Sequence, residues 1–320
     1  MFRRILIVLD DDDPVEPVAG AISRYIGAEA QAEALEILAV APPYPVSGAN
    51  AILVEAARNA EEARRQDARA KAEAMKAALG GRGAVTVETG ALPDLGRRAA
   101  ERMGADLVVK PADREAGRHP GLFGGAEKKL IRHAPCPVMI VRPGAEGGIG
   151  VAIDHPAMAY PQTEAELMNA SLTSHAARIA QQAGEATVEL IHAWKPLGAD
   201  AFDDPRVGIA PERIASYIDQ WEDERKVWLV ETAKEVGARH AAQGVTFVPH
   251  FQAGVPAEAI PAAVAKSALG LLVIGTANRK GLAGLFIGNT AEGLIDDLPS
   301  SILVIKPEGV GAILQSFANP

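Results

Sequence analysis

Residues 275–290 read GTANRKGLAGLFIGNT. They follow the apolar run LLVI (271–274) and precede AEGLIDDL, which has a helical pattern. Glycine tolerates positive φ and close backbone approach, so a loop of this composition can wrap a ligand. A helix opening near Gly288 would offer unpaired N–H groups and a positive dipole end to an anion. The same residues fit another use. Asn289 and Glu292 stand at N-cap and N3 spacing, a capping-box frame that satisfies those donors internally. Glu292 also places negative charge where a phosphate would lie, with Arg279 and Lys280 near enough in sequence to offset it.

Other chemistries are poorly served. No G-x-G-x-x-G follows either opening strand, which run instead into DDDP (11–14) and DHPA (154–157). Walker A, kinase and G-x-S-x-G patterns are absent. The seven histidines show no ligand spacing, and one cysteine, Cys136, supports neither a disulfide nor a cysteine-built metal site. Cys136 sits between two prolines before an apolar run and reads as a small buried filler rather than a redox sensor. The Asp10–Asp13 run would suit Mg²⁺, but only one half of the chain carries it. The reading preferred is a solvated strand-to-helix turn with N-caps for the next helix. Trp221 and Trp228 lie seven apart on a helical pattern and read as packing rather than as a docking stripe.

The elements that must position these residues repeat once along the chain. ILIVLD (5–10) and GVAID (150–154) open the halves. LEILAVA (35–41) answers VELIHAW (188–194), and VTVETG (85–90) answers VTFVPHFQAG (245–254). ADLVVK (105–110) answers LLVIG (271–275), and APCPVMIVRP (134–143) answers LPSSILVIKP (298–307). Long charged amphipathic helices are expected at roughly 53–79 and 211–242. Short β-branched runs alternating with helices predict parallel βαβ units, five strands and four helices per half. The strands are apolar on both faces, as in a parallel sheet covered on both sides. Ligands in such a sheet sit beyond the carboxyl ends of the strands, which puts the Asp154 and Gly275 strand ends in one crevice if those strands are neighbours. PGAEGG (143–148) is the seam, giving domains 1–145 and 146–320. The long segments 42–50 and 195–211 follow the second strands and have the length of lids.

Composition narrows the partners. The 320 residues carry a net charge of −9 with 4% aromatics, which disfavours a nucleic-acid partner. No run approaches a membrane span, and MFRRILIVLDDDD lacks a signal-peptide pattern, so a cytoplasmic protein is expected.

Gly275, Asn278, Gly288 and Asn289 together form a frame that resembles the G-x2-G-x9-G-[ST] loop of the universal stress protein family, with Asn at the second glycine and at the hydroxyl position. HAPCPVMIVRP (133–143) is similar to that family's closing segment, and GNTAE (288–292) with the duplication resembles its two-domain E-type members. The resemblance covers essentially the whole chain. It implies an α/β fold of two Rossmann-like, doubly wound five-stranded parallel sheets in tandem, order 3-2-1-4-5, related by a pseudo-twofold. It also implies a role in stress survival, with ATP as the ligand of some members. Asp154 would reach the ribose and Ala193 the base. Gly275 and Gly288 would frame the phosphates, with Asn278, Asn289 and Thr290 beside them. In the first half Lys110 replaces the first glycine and Gly124-Gly125-Ala126 lacks the hydroxyl. Lys110 is expected to fill that crevice or pair with Asp10, leaving no nucleotide there. The expected function is a non-catalytic regulator or small-ligand module with at most weak nucleotide binding in the second half. An ATP-binding, slowly hydrolysing switch and a protein-interaction scaffold are the rivals. Strands 138–141 and 302–305 are expected to pair within one chain, and a homodimer could add to that.

Overall fold

The computed structural model describes residues 2–28, 32–43, 51–112, 125–156, 162–196, 202, 206, 208–276 and 298–307, without the side chains of 51–53. The chain forms two compact units, Met1–Ala145 with Thr276–Pro320, and Glu146–Gly275.

The first unit runs β1 (Arg4–Leu9), α1 (Val15–Tyr25), β2 (Ala34–Ala41), α2 (Ala51–Ala78), β3 (Ala84–Thr89), α3 (Leu92–Met103), β4 (Leu107–Pro111), α4 (Gly125–His133) and β5 (Val138–Val141), and it also holds β10 (Ser301–Ile305). Its strands lie in the order β3-β2-β1-β4-β5-β10. The first five are parallel, so the 3-2-1-4-5 winding is present. β10 runs antiparallel to β5, with Ile302 opposite Ile140 and Val304 opposite Val138. The sequence repeat places 302–305 in the second half, whereas its packing places it in the first unit. This pairing covers an edge that would otherwise offer unpaired backbone groups.

Ile5–Leu9 and all of β4 are buried, which requires helices on both faces. α1 turns Val18, Ala19, Ile22 and Tyr25 inward at helical spacing. Burial of a Val or Ile side chain of this kind contributes about 1.5–3 kcal/mol. α3 ends on Gly104 in the left-handed conformation, which accepts no side chain cheaply and stops the helix.

The second unit runs β6 (Gly148–Ala152), α5 (Gln162–Ala183), β7 (Thr187–Trp194), α6 (Pro211–Arg239), β8 (Thr246–Ala253), α7 (Pro256–Lys266) and β9 (Leu269–Gly275). Its parallel strands lie in the order β8-β7-β6-β9, the same 3-2-1-4 winding. The two long helices occupy the expected positions, and α6 opens on Pro211 at its first turn, where the missing N–H is harmless. The helix expected from AEGLIDDL and the middles of both long loops lie outside the described residues.

Candidate functional site

In the first unit the carboxyl ends of β1 and β4 are adjacent, since those strands pair at Ile7 and Val109. Lys110, at the end of β4, is only 1% exposed. Its Nζ donates to Asp13 Oδ1 and Oδ2, both at 3.0 Å, and to the Pro111 carbonyl at 2.8 Å. Asp10 Oδ2 lies 3.2 Å from the same ammonium. Asp13 also accepts the Asp10 N–H at 2.8 Å. Burial pushes the Asp13 carboxyl up to about 7 against the pull of Lys110, while Asp13 and Asp10 outweigh burial and hold the ammonium above its ordinary value. Lys110 thus fills the crevice and pairs with Asp10, as the sequence suggested, but its main partner is Asp13.

The Asp10–Asp13 run is a strand-to-helix turn with Asp11 and Asp12 exposed, as expected, but it supplies no N-cap and its last member is not solvated. Asp13 is buried, α1 takes Pro14 as its N-cap, and no side chain caps that end. The correction has a physical cause: a buried cation at the next strand end draws one carboxylate inward. Among the described residues no group of acids, histidines or cysteines has the makings of a metal site.

In the second unit β6 and β9 are neighbours, with Val151 opposite Val273. Asp154 and Gly275 thus stand at adjacent strand ends. Asp154 is exposed, and its backbone is held on both sides by Asn169 of α5. The Asn169 side-chain amide donates to the Asp154 carbonyl at 2.7 Å and its oxygen accepts the Asp154 N–H at 3.3 Å. This leaves the Asp154 carboxylate facing solvent. Gly275 has a packing reason to lack a side chain. A Cβ there would meet Met168 Sδ at 2.8 Å and Cγ at 2.9 Å, and the residue has no positive φ. Ala193 is buried inside β7, one residue before its end rather than past it. Asn278, Gly288, Asn289 and Thr290 lie outside the described residues.

The strand ends bring in residues that the sequence reading did not single out. His192, 2% exposed, donates from Nδ1 to the Ile153 carbonyl at 3.0 Å. A carbonyl can only accept, so the neutral ring presents Nε2 as a bare acceptor, and that atom has no partner. His192 packs against Trp228 of α6 with ring centroids 5.0 Å apart, and His155 meets the same indole at 4.6 Å. Burial, with added repulsion from Arg225 and His192, drops His155 to about 4. Burial likewise holds His192 below its ordinary value. The only sequence signal for this cluster was the spacing of Trp221 and Trp228 on one helix face.

Cys136 is buried, and its thiol is pushed up to about 12 by that burial, so it is held as an inert thiol.

The model of the universal stress protein family matches residues 1–142 and 168–306. The chain belongs to the universal stress protein family. Its curated relatives include universal stress protein E of Salmonella typhi, 28% identical over 208 residues, covering 63% of this chain and 61% of that protein. Universal stress protein E of Escherichia coli is 28% identical over 210 residues, covering 64% of this chain and 62% of that protein. The match therefore spans about three fifths of the length of these members. Two solved Pseudomonas aeruginosa proteins share the fold with TM-scores of 0.63 and 0.64 at 24% and 23% identity. The first alignment covers 100% of this chain and 98% of that one, the second 99% and 97%. A universal stress protein of Archaeoglobus fulgidus aligns with a TM-score of 0.57 at 15% identity, over 94% of this chain and 96% of that one. Tandem Rossmann-like sheets are thus the fold of this family member.

Proposed function

We propose that this protein is a non-catalytic stress-response regulator in which only the second half of the sequence, residues 146–320, takes a small ligand. The observation that carries the reading is the asymmetry of the two strand-end crevices. In the first unit the Lys110 ammonium, with Asp13 and Asp10 around it, occupies the position that a ligand would need. In the second unit the equivalent strand end is Gly275, and the Asp154 carboxylate beside it faces solvent. An internal ion pair is a permanent occupant, because a ligand would have to break a buried pair to enter.

The chain is read as two domains, 1–145 and 146–320, acting from the cytoplasm. ATP or another small anion is the ligand proposed for the second, held weakly at Asp154, Ala193, Gly275, Asn278, Gly288, Asn289 and Thr290. Weak binding follows from the self-capping frame of Asn289 and Glu292, which competes for the same N–H donors.

Calorimetric titration with ATP and Mg²⁺ tests the reading. One weak site per chain, lost in Gly288→Val and unchanged in Lys110→Met, is the expected result. Two sites per chain would sink it, and turnover of the bound ATP would replace the non-catalytic reading with a hydrolytic switch.

A further inference from the structure

Met168 stands on α5, four residues before Leu172, and the two side chains cover Gly275 at the end of β9. A Cβ on Gly275 would lie 2.8 Å from Met168 Sδ and 3.5 Å from Leu172 Cδ1. The thioether is therefore seated on bare backbone. Leu172 is buried, whereas Met168 is only half-buried. Of the other described methionines, Met75 and Met139 are fully buried, and Met103, half-buried, closes α3 in the first unit. Among these four, only Met168 combines access from solvent with a place at the second unit's strand ends.

The next residue makes that contact consequential. Asn169 grips the Asp154 backbone, donating to its carbonyl at 2.7 Å and accepting its N–H at 3.3 Å. Thr173 Oγ1 donates in turn to the Asn169 carbonyl at 2.8 Å. One turn of α5 thus touches both strand ends, Gly275 through Met168 and Asp154 through Asn169. Packed elements transmit strain, so a displaced Met168 disturbs the grip of Asn169.

Oxidation changes the contact in kind. The thioether sulfur attacks one oxygen of hydrogen peroxide, the O–O bond breaks, and the departing hydroxide takes the proton left on the transferred oxygen. Thioether and peroxide become sulfoxide and water. The product is polar and chiral where the thioether was apolar and adaptable. Its oxygen has no room on the Gly275 side. Either it faces the crevice beside Asp154, or the side chain leaves Gly275.

We propose that Met168 is a reversible oxidation site, with peroxide as its reactant, whose sulfoxide loosens the Asp154 backbone and weakens anion binding at the second unit's strand ends. The proposal rests on the reading that residues 146–320 hold the ligand, but the modification and the loosening need no ligand.

The test exposes the full chain to hydrogen peroxide and follows each methionine by peptide mass spectrometry. Thermal melting and hydrogen exchange of the Asp154 amide are read without ligand. Met168 gains one oxygen before Met75 and Met139, the melting temperature falls, and Asp154 exchanges about tenfold faster. Methionine sulfoxide reductase reverses all three changes. Met168→Leu abolishes the loss of melting temperature and protection, and Met103→Leu does not. A Met168 that stays reduced at a peroxide dose that oxidises free methionine overturns the proposal. So does an oxidised Met168 with unchanged melting and exchange, or an equal loss in Met168→Leu, which would put the effect on another residue. If that variant does not fold, the native chain before and after the reductase decides. Titration with ATP comes last, and equal affinity before and after oxidation also overturns the proposal. Absence of ATP binding by the reduced chain removes the nucleotide reading alone, because melting and exchange have already decided the oxidation.

Discussion

Lys110 and Asp13 form a buried ion pair 97 residues apart in sequence, with the ammonium 3.0 Å from both carboxylate oxygens. Their side chains are 1% and 3% exposed. Removing one member strands the other in a water-poor site. Lys110→Met is expected to cost about 3–5 kcal/mol, whereas Lys110→Met with Asp13→Leu recovers most of that, since an apolar pair of similar volume is often neutral. Urea denaturation of the two variants against the native chain measures the difference. Equal loss in both would show that packing rather than unpaired charge sets the cost.

Acid should weaken the fold through its histidines. His133, His155, His175, His192 and His240 are all held below the ordinary histidine value, chiefly by burial. Between about pH 4 and 6.5 the unfolded chain therefore binds more protons than the folded one, so stability falls as pH drops through that window. Asp13 has the opposite sign, because its raised value favours the folded state in acid and loses that contribution as pH rises towards 7. Asp11, also raised by burial, acts in the same sense as Asp13, and five histidines against two carboxyls give a net loss on acidification. Denaturation midpoints at pH 7.0 and 5.0 should show it, and Asp13→Asn should steepen it. A flat profile would contradict the burial of these rings.

The turn between α7 and β9 contains an exchangeable strain. Ala268 adopts φ +48, and Gly147 nearby has φ +143 with space for no side chain, its virtual Cβ falling 2.0 Å from the Ala268 carbonyl oxygen. A left-handed alanine costs about 1–2 kcal/mol, and glycine's added chain entropy costs about 0.5–1 kcal/mol. Ala268→Gly is thus expected to stabilise by about 0.5–1 kcal/mol. Gly147→Ala should destabilise by about 3 kcal/mol, through both φ and the clash. Thermal melts of the two single variants should move in opposite directions.

Gly275 offers a way to separate packing from ligand contact. Gly275→Ala brings a methyl against the Met168 thioether. The cost should be about 1 kcal/mol, at the low end for overpacking because the methionine can swing aside. Gly275→Ala with Met168→Ala should restore the melting temperature. A melt that stays low in the double variant would mean that the backbone, not Met168, needs the glycine.

Much of the fold could be read from the sequence because burial on both faces leaves a plain mark. Ile5–Leu9, Leu107–Val109 and Leu271–Ile274 have no polar residue to tell one face from the other, and only a covered parallel strand needs that. Lys110 was legible as well, since a lysine before proline at a strand end must go somewhere. Which acid would meet it was not, because Asp10 to Asp13 are identical in type and only the turn decides which one points inward. Arg225 was illegible for a different reason. It lies in WEDERKVW, where charge on both sides reads as a solvated helix face, and nothing local says that its position turns under the rings. Ala193 was placed past its strand because strand ends depend on the neighbour: β8 continues to Ala253 and carries β7 on to Trp194.

The pairing of β10 with β5 also has a meaning in time. Arg142 and Ser301, joined across that pairing at 3.1 Å, are 159 residues apart. A ribosome adding about 5–20 residues per second needs about 8–30 s to cover that interval. During it the strands of residues 1–141 can assemble without β10, leaving Val138–Val141 as a bare edge that the same strand of a neighbouring nascent chain could join. An unpaired edge of this kind is a hazard, so pairing order during synthesis, and not only final stability, bears on whether the strand finds β10 or a neighbouring copy.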